Sequence, residues 1–265
     1  IGGYYLWRGI YTKHARVMLG MAMIMAIFVA PLQLLFGDLH GLNTFEHQPA
    51  KVAAMEGIWE TEQGAGLRLF AWPDQIQERN RFEVTIPKLS SLILTHDING
   101  EVKGLTTWAR AERPPVAMVF WTFRIMVGLG MLMIATGLVA LVLYFKKTLF
   151  TARWFHLWCI AMTPSGFVAV LAGWFVTEVG RQPFIVYNVL RTSETISPVA
   201  GQTVAISLAA FVAVYGLVFT AGAYYILKLI GKGPEYTEEE AYGDHGVKTP
   251  PLVTDLAAET GGKDV

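Results

Sequence analysis

Residues 173 to 191, GWFVTEVGRQPFIVYNVLR, close a long apolar run, yet they carry a carboxylate at Glu178 and a guanidinium at Arg181. A charged side chain within a membrane segment costs at least about 2.5 to 3.5 kcal/mol on insertion scales, so each asks for a partner. A second apolar run, FWTFRIMVGLG, holds Arg124 and, two positions later, Met126. Glu178 has the chemistry of a hard anionic ligand for high-spin iron. The Met126 thioether is a soft donor that suits haem iron and raises its potential. Arg124 and Arg181 suit haem propionates, because guanidinium grips carboxylates in a bidentate fork. Trp174 lies one helical turn before Glu178 and shares its face, against a cofactor or in an interfacial aromatic belt. Plainer readings stand beside these. A methionine in a membrane helix is more often packing, and Glu with Arg can form an interhelical salt bridge with no ligand.

A second group opens the stretch GDLHGLNTFEHQPAKVAAMEGIWE. Lys51 and Glu56 are five apart and roughly 140° out of line on a helix, so they make a poor surface pair. Converging on a ligand beside the helix, they would offer a hydrogen-bond donor and a proton acceptor to a phenolic headgroup. Oxidation of a quinol needs such a base, because its electrons cannot leave without its protons. On spacing alone, a solvated loop helix explains the same residues.

These side chains need rigid elements to carry them. Four segments are apolar over the about 20 residues that a bilayer demands: 16–36, 116–145, 154–177 and 203–230. Arg124, Pro31 and Gln33 interrupt them, which is tolerated where the residue faces protein. Arg8, Lys13 and Arg16, then Lys146, Lys147 and Arg153, then Lys228 and Lys232 fall on one side if all four segments span. The positive-inside rule makes that side cytoplasmic. The connections 37–115 and 178–202 are then extracytoplasmic, and Arg124, Glu178 and Arg181 come to the same outer leaflet. The loop 37–115 is long enough to be functional. Within it KVAAMEGIWE reads as a short amphipathic helix and RFEVTIP as a strand, without amounting to a separately stable domain.

Composition agrees with this layout. The chain is 53% hydrophobic and only 16% charged, which places it among membrane proteins. Its zero net charge argues against nucleic acid as a partner. One cysteine, Cys159, supports neither a disulfide framework nor a thiolate metal site. His40, His47 and His96 fall in the loop, His245 in the tail, and His14 and His156 near the cytoplasmic side, so no bis-histidine haem site forms in the outer half of a span. Residues 1–15 read as the end of a preceding helix and a cytoplasmic connection, hence as a fragment of a longer chain. The polar, acidic tail 231–265 reads as disordered.

Taken together, GWFVTEVGRQPF, FRIMVGLG and GD–HG–N–EHQPAK–AAMEG–WE resemble subunit I of the cytochrome bd-type quinol oxidases, in that family's order and spacing. The resemblance covers the chain from its start to about residue 230. It implies an all-α membrane protein in which these four transmembrane helices are the last four of nine and the long extracytoplasmic loop is the quinol-binding Q-loop. By the resemblance, Met126 is the axial ligand of the low-spin b haem with Arg124 beside it. Glu178 ligates the high-spin b haem, with Trp174 and Arg181 in the same pocket, and Lys51 and Glu56 bind and oxidise quinol. The family's subunit carries two b-type haems and haem d, or a third b-type haem in its place. It works with subunit II in the bacterial inner membrane and takes ubiquinol or menaquinol.

Phe184 stands where the family's GRQP motif commonly ends in tryptophan. The loop looks like the short form, and YNVLRTSETISPV is similar to the cyanide-insensitive branch. The family's histidine ligands and acidic proton path lie in helices that precede this sequence, so the piece alone is expected to hold no full haem set and to be inactive. The rival expectation is a haem-free transporter or assembly subunit whose Glu and Arg only pair within the bundle.

Overall fold

The computed structural model describes residues 1–195 and 198–234. The expected disordered tail lies, from residue 235 on, outside the described residues.

In chain order the helices and strands are α1 (Gly2–Arg8), α2 (Thr12–His47), α3 (Pro49–Glu56), β1 (Glu62–Gln63), β2 (Leu67–Asp74), β3 (Arg79–Ile86), α4 (Leu89–Thr95), β4 (Glu101–Val102), α5 (Val116–Phe145), α6 (Arg153–Ala161), α7 (Ser165–Gly180), β5 (Phe184–Val186), β6 (Leu190–Arg191) and α8 (Gly201–Lys232). The strands pair only as antiparallel couples, β1 with β4, β2 with β3 and β5 with β6. Among the described residues, four stretches are long and apolar enough to cross a membrane: Thr12–His47, Val116–Phe145, Arg153–Gly180 and Gly201–Lys232.

Two of these depart from the apolar segments read in the sequence. Helix α2 runs through Pro31 and eleven residues past Phe36 to His47. Apolarity marks where lipid suits a helix, not where the helix must end. In the added turns Thr44 Oγ1 donates to the His40 carbonyl at 2.9 Å, and the next strong breaker is Pro49. The third segment is broken instead, because Pro164 has no N–H and caps α7 rather than continuing α6.

The chain divides into two compact units. Among the described residues, one comprises Ile1–Ala22, Leu143–Ala161 and 200–234. In it Tyr5, Tyr11 and Ala15 form a small core, and the Tyr5 hydroxyl donates to the Ile230 carbonyl at 2.7 Å, tying down the end of α8. His156 is fully buried, its Nε2 3.0 Å from the Leu149 carbonyl oxygen. No residue of α8 is buried, as suits a helix whose apolar surface meets lipid or other helices.

The other unit, Met23–Val142 with Met162–Val199, carries every candidate site residue. Its main core joins α3 to the start of α5: Ala53, Ala54, Trp59, Leu105, Val116 and Val119, with Val179 of α7 packed against them. Helix α3 begins with Pro49, whose missing N–H costs nothing there, and ends at Gly57 in the left-handed conformation (φ 65°). Small side chains let it bury Ala50, Val52, Ala53, Ala54 and Glu56. It is therefore a buried helix and not the solvated one that spacing allowed. RFEVTIP does lie in a strand, β3, whose partner β2 was not read from the sequence. The two register as Asp74 opposite Arg79 and Leu67 opposite Ile86. The Asp74 carboxylate accepts from the N–H groups of Ile76 and Gln77, which shapes the turn between them.

Candidate functional site

Arg124 lies in the first third of α5, where its guanidinium is nearly enclosed. Its Nη2 donates to Oε2 of Glu56 at 2.9 Å, and the side chains are 12% and 8% exposed. Its Nε donates to the Arg68 carbonyl at 2.7 Å. The charged carbon lies 4.8 Å from the centre of the Phe120 ring and 5.3 Å from that of Phe123. A buried pair of this kind needs support beyond the ion pair itself, and here the Arg68 carbonyl and the two rings supply part of it. Among the described residues, these bonds commit two of the five guanidinium N–H groups, leaving three for another acceptor.

Met126 follows half a turn further on. Its thioether faces α7 at Gly173, where a Cβ would stand 2.9 Å from the sulfur. A side chain larger than hydrogen at residue 173 would occupy the place of the sulfur. Helix α7 then offers Trp174, 57% exposed, and Glu178 one turn later. The Glu178 carboxylate accepts from Nη2 of Arg181 within the same helix end, and both side chains keep over a third of their surface exposed (37% and 43%). Arg124 and Glu178 thus do not pair with each other. Each has a different partner, Arg124 from the loop helix and Glu178 from its own chain end.

Lys51 and Glu56 also part company. Glu56 turns to α5. The Lys51 stem lies along Gly180, where a Cβ would meet its Cε at 3.1 Å and its Cγ at 3.2 Å. Burial lowers the Lys51 pKa, as does the Arg181 charge, while Glu178 opposes both. Helix α3 therefore serves two neighbours, with its glutamate on the α5 side and its lysine beside the Glu178–Arg181 pair.

Four residues escaped sequence reading. Arg68 and Glu83 meet across the hairpin at 3.1 Å, Asn80 bonds to Gly57, and Gly173 receives the thioether. The signal for Arg68 was a lone charge between apolar residues in LRLF. Gly173 was visible as a glycine inside an apolar helix, where it usually has a packing reason. Asn80 and Glu83 left none.

The donor set can be weighed for iron. Among the described residues no three His, Cys, Asp or Glu gather to hold a bare ion. Met126 and Glu178 stand on separate helices, each near an arginine, and each would suit as a single ligand to an iron held mainly by a porphyrin. The residues present suit a haem.

Comparison with known proteins gives the same direction. The family model described as Cytochrome bd terminal oxidase subunit I matches residues 1–234. Cytochrome bd-II ubiquinol oxidase subunit 1 of Escherichia coli (strain K12) is 30% identical, covering 91% of this chain and 60% of that protein. Cytochrome bd ubiquinol oxidase subunit 1 of Bacillus subtilis (strain 168) is 34% identical, covering 82% and 48%. Among solved structures, the bd oxidase from Geobacillus thermodenitrificans superposes with a TM-score of 0.77 at 28% identity, covering 88% of this chain and 54% of that one. The chain spans about half the length of the relatives it matches.

Proposed function

The chain belongs to the cytochrome bd terminal oxidase subunit I family, and on that premise we propose that it is part of a quinol:oxygen oxidoreductase. It is a multi-pass protein of the bacterial cytoplasmic membrane. Membrane quinol is oxidised beside the loop helix α3, and the electrons go on to reduce oxygen to water. With the loop outside and the protons for water drawn from the cytoplasm, turnover builds proton-motive force without a pump. The full-length subunit, nine helices long and paired with a second subunit, is the active species.

The observation that carries this reading is the Glu56–Arg124 pair, which joins the proposed quinol helix to α5 two residues before Met126. Lys51 donates a hydrogen bond to a quinol oxygen. Its lowered pKa eases sharing of that proton. Glu56 accepts a proton from a quinol hydroxyl while Arg124 fixes one of its carboxylate oxygens. Met126 and Glu178 would hold the low-spin and high-spin b haems, and Arg124, Arg181 and Trp174 would border them. When bound, haem supplies one-electron carriers and, as haem d or a third b haem, the oxygen-reducing iron.

The test is spectroscopic and kinetic, on the full-length subunit in its complex. Met126→Leu should abolish the low-spin haem band. Lys51→Ala and Glu56→Gln should raise the quinol KM or slow turnover with the haem spectrum intact. A colourless complex, or an unchanged low-spin band in Met126→Leu, would refute the haem assignment. Unchanged quinol kinetics in both loop variants would remove Lys51 and Glu56 from the quinol site.

A further inference from the structure

One hairpin grips the Glu56–Arg124 pair from both ends. On the arginine side, the Arg68 carbonyl on β2 accepts from Arg124 Nε at 2.7 Å. The Arg68 guanidinium is itself buried and pairs with Glu62 at 2.6 Å and with Glu83 on β3 at 3.1 Å. On the glutamate side, Asn80 at the start of β3 donates from Nδ2 to the carbonyl of Gly57, the residue after Glu56, at 2.9 Å. The same nitrogen lies 3.1 Å from Glu83 Oε2, and Asn80 Oδ1 accepts from the Trp59 indole at 2.9 Å. These contacts close a ring that runs from Glu56 to Arg124, Arg68, Glu83, Asn80 and Gly57, and by covalent bond back to Glu56.

Helix α3 is only eight residues long, too short to be rigid by itself. A carboxylate on it keeps a fixed place only if tertiary contacts hold both it and its partner. Supporting residues of this sort decide whether a reacting group stands where substrate needs it, and misplacement by about 1 Å can cost on the order of a hundredfold in rate.

We propose that the ring, closed at Glu83, positions the Glu56 carboxylate for the quinol hydroxyl, so that Arg68, Asn80 and Glu83 are positioning residues of that site. This rests on the proposed role of Glu56 and adds to it the hairpin as the element that sets its geometry. Glu83 touches neither Glu56 nor Arg124, and its effect travels through Arg68 and Asn80.

The experiment is a double-mutant cycle in the full-length complex, with decylubiquinol as substrate and the reduced-minus-oxidised spectrum recorded beside it. Glu83→Ala should raise KM about fivefold, the scale of one lost hydrogen bond, with a smaller change in kcat and unaltered haem bands. In a Glu56→Gln background the same substitution should add less than about twofold, because its route of action is already gone. Equal factors in both backgrounds would assign Glu83 a general structural role and overturn the proposal. A KM equal to that of the unsubstituted protein in Glu83→Ala would do the same. Where Glu83→Ala fails to assemble, Asn80→Ala, which opens the ring and leaves both of its ion pairs, is judged by the same criteria. If Glu56→Gln itself leaves both KM and kcat unchanged, the quinol reading of Glu56 falls and this inference with it. If Glu56→Gln acts and the hairpin variants do not, only the inference falls.

Discussion

Two carboxylate–arginine pairs in the same unit face opposite constraints. At the junction of α3 and α5, Glu56 and Arg124 are nearly buried and come from positions 68 residues apart. At the end of α7, Glu178 and Arg181 are three residues apart and remain over a third exposed. The first pair is locked by tertiary contacts and backed by the Arg68 carbonyl and the Phe120 and Phe123 rings. The second is local and open, which leaves its carboxylate accessible for the proposed haem. Similar charges therefore do different work, and depth and chain separation tell them apart.

The sharpest way to break this contrast is to remove one arginine at a time from the full-length complex. Arg124→Leu strands a buried carboxylate and should destabilise by about 3–5 kcal/mol in denaturant unfolding, whereas the double variant Glu56→Leu/Arg124→Leu should recover much of that loss. Arg124→Leu unfolding with the same midpoint as the parent protein would show that the pair is not buried in the assembled complex. Gly173→Ala comes next. It should push the Met126 sulfur aside and diminish the low-spin haem band while leaving the fold in place, since the displaced atom ends a flexible side chain. An unchanged band would separate α7 from the thioether.

Arg181→Ala should cost at most about 1 kcal/mol, because its pair is exposed to solvent screening. A loss as large as that of Arg124→Leu would erase the distinction.

The smallest effect is a pH dependence confined to the loop. Hydrogen bonds to Asp74, chiefly from the Gln77 N–H, hold its carboxyl below the ordinary 3.8. Hydrogen bonds from Arg113 and Arg110 hold Glu78 below 4.5. Burial acts to raise Glu83, but bonds from Thr85 and Asn80 and the Arg68 charge outweigh it and leave that pKa below 4.5 as well. Depressed carboxylates stabilise the fold fully above their unfolded values and lose that contribution as pH falls through the folded ones. Hairpin amide protection, corrected for intrinsic exchange, should thus stay level down to ordinary carboxylate pKa values and decline below them. Protection that rises on acidification would contradict the assigned pairs.

The sequence was informative where the physics is local. Apolar runs marked all four candidate spans, since about 20 lipid-facing residues leave a continuous signature. They misplaced ends, because polarity says little about where a helix stops, as the turns of α2 beyond Phe36 demonstrate. RFEVTIP announced a strand by alternation, while its partner β2 was hidden by bulges around Phe70 that disturb the alternating pattern. The Glu–Arg bridge that the sequence allowed was interhelical, whereas Glu178 pairs with Arg181 three residues on. The choice of Glu56 as the partner of Arg124 was not readable, because apolar periodicity places a helix face toward the core without naming which distant residue it meets.

By itself, then, the sequence determined the candidate spans, the acid and base at the end of α7, and a short helix that carries Lys51 and Glu56. Those follow from hydrophobic length, helical repeat and the breakers Pro49 and Gly57, all properties of neighbouring residues. Only the tertiary structure decided which charge meets which, that the thioether of Met126 rests on Gly173, and that a hairpin ring closes at Glu83. Those outcomes depend on contacts between residues far apart in the chain, where burial raises the cost of every unmet charge.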